Sequence, residues 1–149
     1  MGYDRLTKGR HSLPNHAYFV TAATKDRAPV FSDFYVARLV VREMRGLHDL
    51  AWVESLAWVV MPDHVHWMFQ LDTAHSLSRV MQRMKGRSAR SINQVRGHRG
   101  GLWQPGYFEH ALRRDEDLVA TARYIVANPL RAGLVRRLSE YVLWDAKWL

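Results

Sequence analysis

Residues 61–71, Met-Pro-Asp-His-Val-His-Trp-Met-Phe-Gln-Leu, alternate between apolar side chains and histidine or other residues. A β-strand points successive side chains to opposite faces of a sheet, so this alternation predicts a strand. His64 and His66 then leave the sheet on one face, while Val65, Trp67 and Phe69 leave it on the other. Two imidazoles on one rigid strand can form half of a metal site, although a solvated strand face fits the same pattern.

The composition limits the classes of protein to consider. A chain of 149 residues with 48% hydrophobic content predicts one globular domain, residues 1–149. Because no apolar run could span a bilayer and the charged start lacks the apolar segment of a signal peptide, we expect a soluble, cytoplasmic protein. Cysteine is absent, which excludes disulfides, thiolate metal sites and cysteine nucleophiles. A bound metal would need nitrogen and oxygen ligands.

The charge predicts a polyanionic partner. There are 22 Lys and Arg residues against 14 Asp and Glu residues, which gives a net charge of +8. No acidic residue lies between Asp72 and Glu109. This acid-free window contains the basic residues that we predict to bind phosphate groups: Arg79, Arg83, Lys85, Arg87, Arg90, Arg96 and Arg99. Most of the window has helical periodicity, which places Arg79, Arg83, Arg87 and Arg90 on one helix face.

The apolar pattern also predicts the order of the secondary-structure elements. Strands are expected at 17–24, 52–60, 64–71 and 107–113. Helices are expected from the N-cap Ser32 to about residue 49, at 77–95, and from Asp115 until Pro129 ends the third helix. The order β-α-β-β-α-β-α predicts an α+β, ferredoxin-like fold with a four-stranded antiparallel sheet and helices packed on one face. The last stretch, which includes Trp144 and Trp148, is expected to pack back on the domain.

Tyr124 and Asn128 are four residues apart on the third predicted helix and therefore share one face. A phenol can attack phosphorus once its proton is lost, and an amide oxygen can bind a hard divalent cation. Helical tyrosines also pack commonly at surfaces, and asparagine before proline commonly ends a helix. Taken alone, the pair is more typical of a structural helix end than of an active site.

Together, these residues resemble the single-tyrosine HUH transposases of the IS200-like family, which are named for two histidines flanking a hydrophobic residue. The chain is most similar to the REP-associated tyrosine transposases. The similarity covers most of the domain and is carried by residues 61–66, the basic helix with Met84-Lys85 and Ser88, the loop at 101–107, and Tyr-Ile-Val-Ala-Asn-Pro-Leu-Arg-Ala-Gly-Leu-Val at 124–135. The resemblance implies the ferredoxin-like fold that the element order also predicts.

The resemblance implies that Tyr124 is the nucleophile and that His64, His66 and Asn128 hold a divalent metal, Mg²⁺ or Mn²⁺. His110 and Asp63 are alternatives to Asn128, and Lys85 is one candidate for the base. The implied enzyme is a metal-dependent endonuclease and strand transferase that forms a 5′-phosphotyrosine intermediate. Its implied partner is single-stranded DNA carrying REP-type hairpins, which the basic residues would bind, and either a homodimer or a monomer is compatible with the sequence.

Other functions fit parts of the pattern. A non-catalytic module that binds DNA hairpins would use the basic helix without Tyr124. A phosphoesterase with water as the nucleophile would use the histidines, but the chain has one His-x-His motif, and Met68 occupies the place of a third alternating histidine. A helix-turn-helix repressor is disfavoured by the strand content. In the loop, Trp103 and Tyr107 could stack on unpaired bases or could anchor the loop in the core.

Overall fold

The structure, a computed structural model, describes residues 16–147 of the chain. The strands and α-helices follow one another along the chain as β1 (Ala17–Ala23), α1 (Phe34–Asp49), β2 (Val53–Met61), β3 (His64–Leu71), α2 (Leu77–Arg96), β4 (Phe108–Leu112), α3 (Asp115–Val126), α4 (Asn128–Arg131) and β5 (Trp144–Ala146). The helix α4 is a single short turn. Trp148 lies outside the described residues. Within them, no helix has the length and apolar character needed to cross a membrane.

The sheet has the strand order β4-β1-β3-β2-β5, and each strand pairs antiparallel with its neighbours. Four of its strands form the predicted ferredoxin-like arrangement with β1 and β3 in the centre, so this prediction is confirmed. The fifth strand adds an edge beside β2, where Trp144 pairs with Val59 and Ala146 with Ala57. The sequence analysis missed β5 because three residues are too few to show an alternating pattern.

Helices cover both faces of the sheet. α1 and α2 pack on the face that carries Val65, Trp67 and Phe69, and together they bury the larger hydrophobic core. The prediction placed the helices on one face, but α3 packs on the opposite face, where Ile125 lies in a second core with Met68. Because the sheet is apolar on both faces, each face must be covered to remove it from water, and α3 covers the face that α1 and α2 leave open.

Local interactions fix where the elements begin and end. Asp33, and not the predicted Ser32, caps α1, because its carboxylate accepts hydrogen bonds from the Tyr35 and Val36 amides at 2.9 and 3.2 Å. The tight turn at Pro62-Asp63 joins β2 to β3, and Met61 pairs with His64 directly after it. This turn therefore determines where the histidine pair enters the sheet.

Candidate active site

β3 presents His64 and His66 on the sheet face that α3 covers. Their ring centroids lie 4.7 Å apart, and the neighbouring Val65 and Trp67 are fully buried on the other face. The predicted shared face of the two histidines is thus confirmed. On the neighbouring strand β1, Ala23 pairs with His64 and Thr21 pairs with His66.

Each histidine uses its Nδ1 atom in a hydrogen bond. His66 Nδ1 lies 2.7 Å from Thr21 Oγ1, and His64 Nδ1 lies 2.7 Å from Asp63 Oδ1. Such partners fix the orientation of an imidazole, and the Nε2 atom is then the ring nitrogen that can bind a ligand. The other carboxylate oxygen of Asp63 accepts a hydrogen bond from Arg27 Nε at 3.0 Å. Asp63, one alternative metal ligand, is thereby positioned as the hydrogen-bond partner of His64.

The electrostatics of the site favour a neutral His66 and an ionised Asp63. Burial lowers the pKa of His66 to about 3, and the positive fields of His64, Arg131 and Arg27 act in the same direction. Burial raises the pKa of Asp63, but hydrogen bonds from His64 and Arg27 outweigh this effect and lower it overall. His66 is therefore an uncharged imidazole at neutral pH, which is the form that binds metals.

Tyr124 reaches the histidine pair from α3. Its ring centroid lies 6.3 Å from that of His66 and 6.2 Å from that of Phe19, which is itself 5.4 Å from His66. Buried Ala122 and Ile125 hold this helix against the sheet, while Tyr124 is 51% exposed at the rim. The structure thus brings together the tyrosine and histidines that the sequence analysis singled out, and leaves the tyrosine accessible.

Asn128 follows directly after α3. A single residue, Ala127, separates α3 from α4, so Asn128 lies about one helical turn beyond Tyr124. Among the side chains described in residues 16–114 and 117–147, no three of His, Cys, Asp or Glu are grouped to hold a metal ion. His110 shares a sheet face with Phe19 but lies on β4, two strands away from β3. Asn128 therefore stays a prediction for the third metal ligand.

Four predicted phosphate-binding arginines line one groove on the outer side of α2. This arginine groove has a volume of about 420 Å³ and is lined by Arg79, Arg83, Arg87 and Arg90 with Trp52, Gln82 and Gly86. The Arg83 guanidinium lies 5.2 Å from the Trp52 ring centroid, and Arg87 Nε lies 2.8 Å from Glu43 Oε1. The prediction that these four arginines share one helix face is confirmed.

The other predicted phosphate-binding residues lie elsewhere. Lys85 Nζ donates hydrogen bonds to the Gln104 and Gly106 carbonyl oxygens at 2.9 and 2.7 Å, and burial lowers the pKa of Lys85. Its ammonium group therefore supports the 101–107 loop and does not line the arginine groove. Arg96 and Arg99 are exposed at the end of α2 and in the loop that follows it.

Trp103 anchors that loop in the core. It is 8% exposed, its ring centroid lies 5.3 Å from that of Phe31, and its Nε1 atom donates to Ser88 Oγ at 3.0 Å. Tyr107 also packs against the core. Of the two interpretations of these aromatic residues, the structure supports the core anchor.

Sequence reasoning missed three residues that contact the site: Thr21, Arg27 and Arg131. Thr21 lies on β1, so its contact with His66 depends on the register of two strands that are far apart in the sequence. Arg27 lies in a short 3₁₀ turn after β1. Arg131 stands seven residues after Tyr124, and this helical spacing is a signal that could have identified it.

The fold and the tyrosine beside two histidines match the class of single-tyrosine transposases that the sequence resembles. The model of the IS200-like transposase family matches residues 12–128, and the chain belongs to this family. The chain is 33% identical to a REP-associated tyrosine transposase of Escherichia coli K12 over 93 residues, 59% of this chain and 51% of that protein. It is 27% identical to a protein of Haemophilus influenzae that bears the same name, over 138 residues, 83% of this chain and 76% of the relative.

A solved structure of a REP-associated tyrosine transposase bound to a REP hairpin has the same fold. The TM-score is 0.75 at 23% identity, and the match covers 91% of this chain and 79% of the other. At this identity the similarity shows the shared fold.

Proposed function

We propose that this chain is a metal-dependent nuclease and strand transferase that cuts single-stranded DNA next to REP-type hairpins through a 5′-phosphotyrosine intermediate. The observation that carries the proposal is the position of Tyr124, whose ring centroid lies 6.3 Å from that of His66 on a different element. Membership of the IS200-like transposase family supports a DNA substrate.

The residues at the site suit a divalent metal ion. Both histidines have Nδ1 hydrogen-bonded, so two Nε2 atoms are the natural nitrogen ligands, and the Asn128 amide would supply an oxygen. This donor set fits Mn²⁺ at least as well as Mg²⁺, because Mg²⁺ prefers oxygen ligands alone. A metal ion bound by these residues would polarise a non-bridging oxygen of the scissile phosphate.

Tyr124 supplies the nucleophile. Its phenolic oxygen forms a bond to phosphorus, the bond from phosphorus to the 3′-oxygen breaks, and that oxygen leaves and takes a proton. The phenolic proton passes to solvent or to a base. Because the 5′-phosphate remains esterified to the protein, a second 3′-hydroxyl can attack the same phosphorus and join strands without an external source of energy.

The arginine groove is the surface that we assign to the hairpin stem. One fold neighbour was solved in complex with a REP hairpin, and the groove is lined by four arginines that can contact a phosphate backbone, of which Arg87 is also ion-paired with Glu43. Exposed Arg96 and Arg99 extend this positive surface beyond the end of α2. A homodimer is not needed to bring the tyrosine to the histidines, since one chain contains both.

The test is a search for a covalent adduct. Purified protein is incubated with end-labelled, single-stranded hairpin DNA from palindromic repeats in the presence of Mn²⁺ or Mg²⁺, and denaturing gels detect protein attached to DNA. We expect an adduct in which the protein is attached to the 5′-phosphate of the DNA fragment downstream of the cut, and its loss in Tyr124→Phe, in His64→Ala and with a chelator.

Tyr35→Phe is the matched control, because Tyr35 is an exposed helical tyrosine on α1, away from the histidines. This variant should form the adduct as the wild type does. Hairpin binding with neither adduct nor cleavage in either metal would overturn the enzyme proposal and favour the non-catalytic hairpin-binding module.

A further inference from the structure

Arg131 lies directly over the ring of Tyr124. The Arg131 Cζ atom is 4.0 Å from the ring centroid, well inside the range of a cation–π contact. The contact places a permanent positive charge next to the proposed nucleophile. The proposed roles of Tyr124, the two histidines and Asn128 do not involve this charge.

The short helix α4 fixes this position. The Ala132 amide donates to the Asn128 carbonyl oxygen at 2.9 Å, and the Leu134 amide donates to that of Pro129 at 3.0 Å. Gly133 has a φ of +73°, the left-handed conformation that commonly ends a helix and that glycine adopts readily. The segment Asn-Pro-Leu-Arg-Ala-Gly is thus a closed turn that carries Arg131 on the stripe of Tyr124 and Asn128.

The charge of Arg131 is not neutralised by a neighbour. Among the side chains that the structure describes, in residues 16–114 and 117–147, no carboxylate forms an ion pair with it, and Asp63 is bonded to His64 and Arg27. The Tyr124 ring that Arg131 covers lies 6.3 Å, between ring centroids, from His66, so the guanidinium is close to the histidine side of the site. An anion bound between Tyr124 and the histidines would experience this charge.

We propose that Arg131 binds the scissile phosphate and offsets the negative charge on its non-bridging oxygens while Tyr124 attacks. The planar guanidinium can donate two parallel N–H hydrogen bonds to phosphate oxygens. As the bond from the phenolic oxygen to phosphorus forms and the bond to the 3′-oxygen breaks, charge moves onto these oxygens, and a fixed cation beside them stabilises the transition state. This inference rests on the proposed function and adds a catalytic residue to it.

The first experiment compares single-turnover cleavage by the wild type, Arg131→Gln and Arg131→Lys at saturating hairpin DNA, with Arg123→Gln as the control. Arg123 is an exposed arginine adjacent to Tyr124 in sequence and about 100° away around the helix. We expect Arg131→Gln to lower the rate about 100-fold, Arg131→Lys to retain part of it, and Arg123→Gln to leave it unchanged. A rate for Arg131→Gln equal to that of the wild type overturns the proposal.

A second experiment separates a phosphate contact from simple support of the tyrosine ring. The scissile phosphate is replaced by a methylphosphonate, in which a methyl group takes the place of one charged oxygen. If Arg131 acts on the phosphate charge, the wild type and Arg131→Gln should cleave this neutral substrate at rates within about threefold of each other. If Arg131→Gln lowers the cleavage rate by the same factor on both substrates, Arg131 only supports the Tyr124 ring, and the proposal is overturned.

The two proposals fail in different ways. If the wild type forms no adduct on unmodified DNA, the proposed function itself is wrong. If the wild type forms the adduct and Arg131→Gln forms it equally fast, only the role of Arg131 is wrong. Circular dichroism of each variant checks that it is folded.

Discussion

Thr21 and His66 face each other across the central strand pair, and the Thr21 Oγ1 atom lies 2.7 Å from His66 Nδ1. The contact joins β1, which carries no proposed ligand, to the strand that carries both histidines. It holds the buried imidazole in one orientation and leaves its Nε2 atom for a ligand.

We expect Thr21→Val to weaken Mn²⁺ binding about 10- to 100-fold, the range found when the hydrogen-bond partner of a metal-binding histidine is removed. Valine keeps the branched shape of threonine but loses the hydroxyl group. Thr21→Ser, which keeps the hydroxyl, should bind Mn²⁺ nearly as well as the wild type. Titration calorimetry measures both affinities, and equal affinities for the valine variant and the wild type would contradict the proposed role.

The low pKa of His66 predicts a pH-dependent stability of the metal-free protein. Its pKa falls from the ordinary 6.5 to about 3 in the folded state, so between these values the unfolded chain binds more protons than the folded one. The free energy of unfolding therefore has its full value, as far as His66 is concerned, above about pH 6.5. It decreases progressively as the pH falls toward about 3, because the unfolded chain gains a proton that the folded chain does not.

Urea unfolding of the wild type and His66→Gln in the presence of a chelator tests this dependence. Between about pH 7 and about pH 5, the free energy of unfolding of the wild type should fall by ~2 kcal/mol more than that of the variant. Parallel pH profiles for the two proteins would show that His66 titrates normally in the folded state.

The arginine groove predicts a change in the salt dependence of hairpin binding. Arg79→Gln or Arg83→Gln should each reduce the slope of log K against log salt concentration by about 0.9, because each removes one phosphate contact. Arg45→Gln is a matched control on α1, since Arg45 is an exposed arginine beside Asp49. Fluorescence anisotropy over a salt series measures the slopes. Unchanged slopes in the groove variants would place the hairpin elsewhere.

The buried hydrogen bond from Trp103 Nε1 to Ser88 Oγ predicts a stability effect. Ser88→Ala leaves the indole N–H without this acceptor, which should lower the free energy of unfolding by about 1–3 kcal/mol. In Trp103→Phe, the further loss caused by Ser88→Ala should be smaller, because the indole N–H is absent. Thermal unfolding of the four proteins measures the coupling. Additive losses would show that this hydrogen bond contributes little to stability.

The sequence predicted the four longer strands from short apolar runs bounded by turn residues, and it predicted the shared face of His64 and His66 from the alternation in residues 61–71. Tyr124 was identified by its resemblance to a family, and its contact with His66 requires α3 to fold onto the far face of the sheet. That packing depends on residues such as Ile125 and Met68, whose partners are not visible in a linear pattern. The partners of the histidine rings were missed for the same reason, since strand register places Thr21 beside His66.

The arginine groove and Tyr124 lie on opposite sides of the sheet, because α2 and α3 cover opposite faces. A DNA strand that left a stem held in the groove and entered the tyrosine site would have to pass around an edge of the sheet. Each helix layer packs about 10 Å from the sheet, so this path crosses roughly 20 Å of protein. The thickness of the domain would then act as a ruler that sets how many unpaired nucleotides separate the hairpin from the cut.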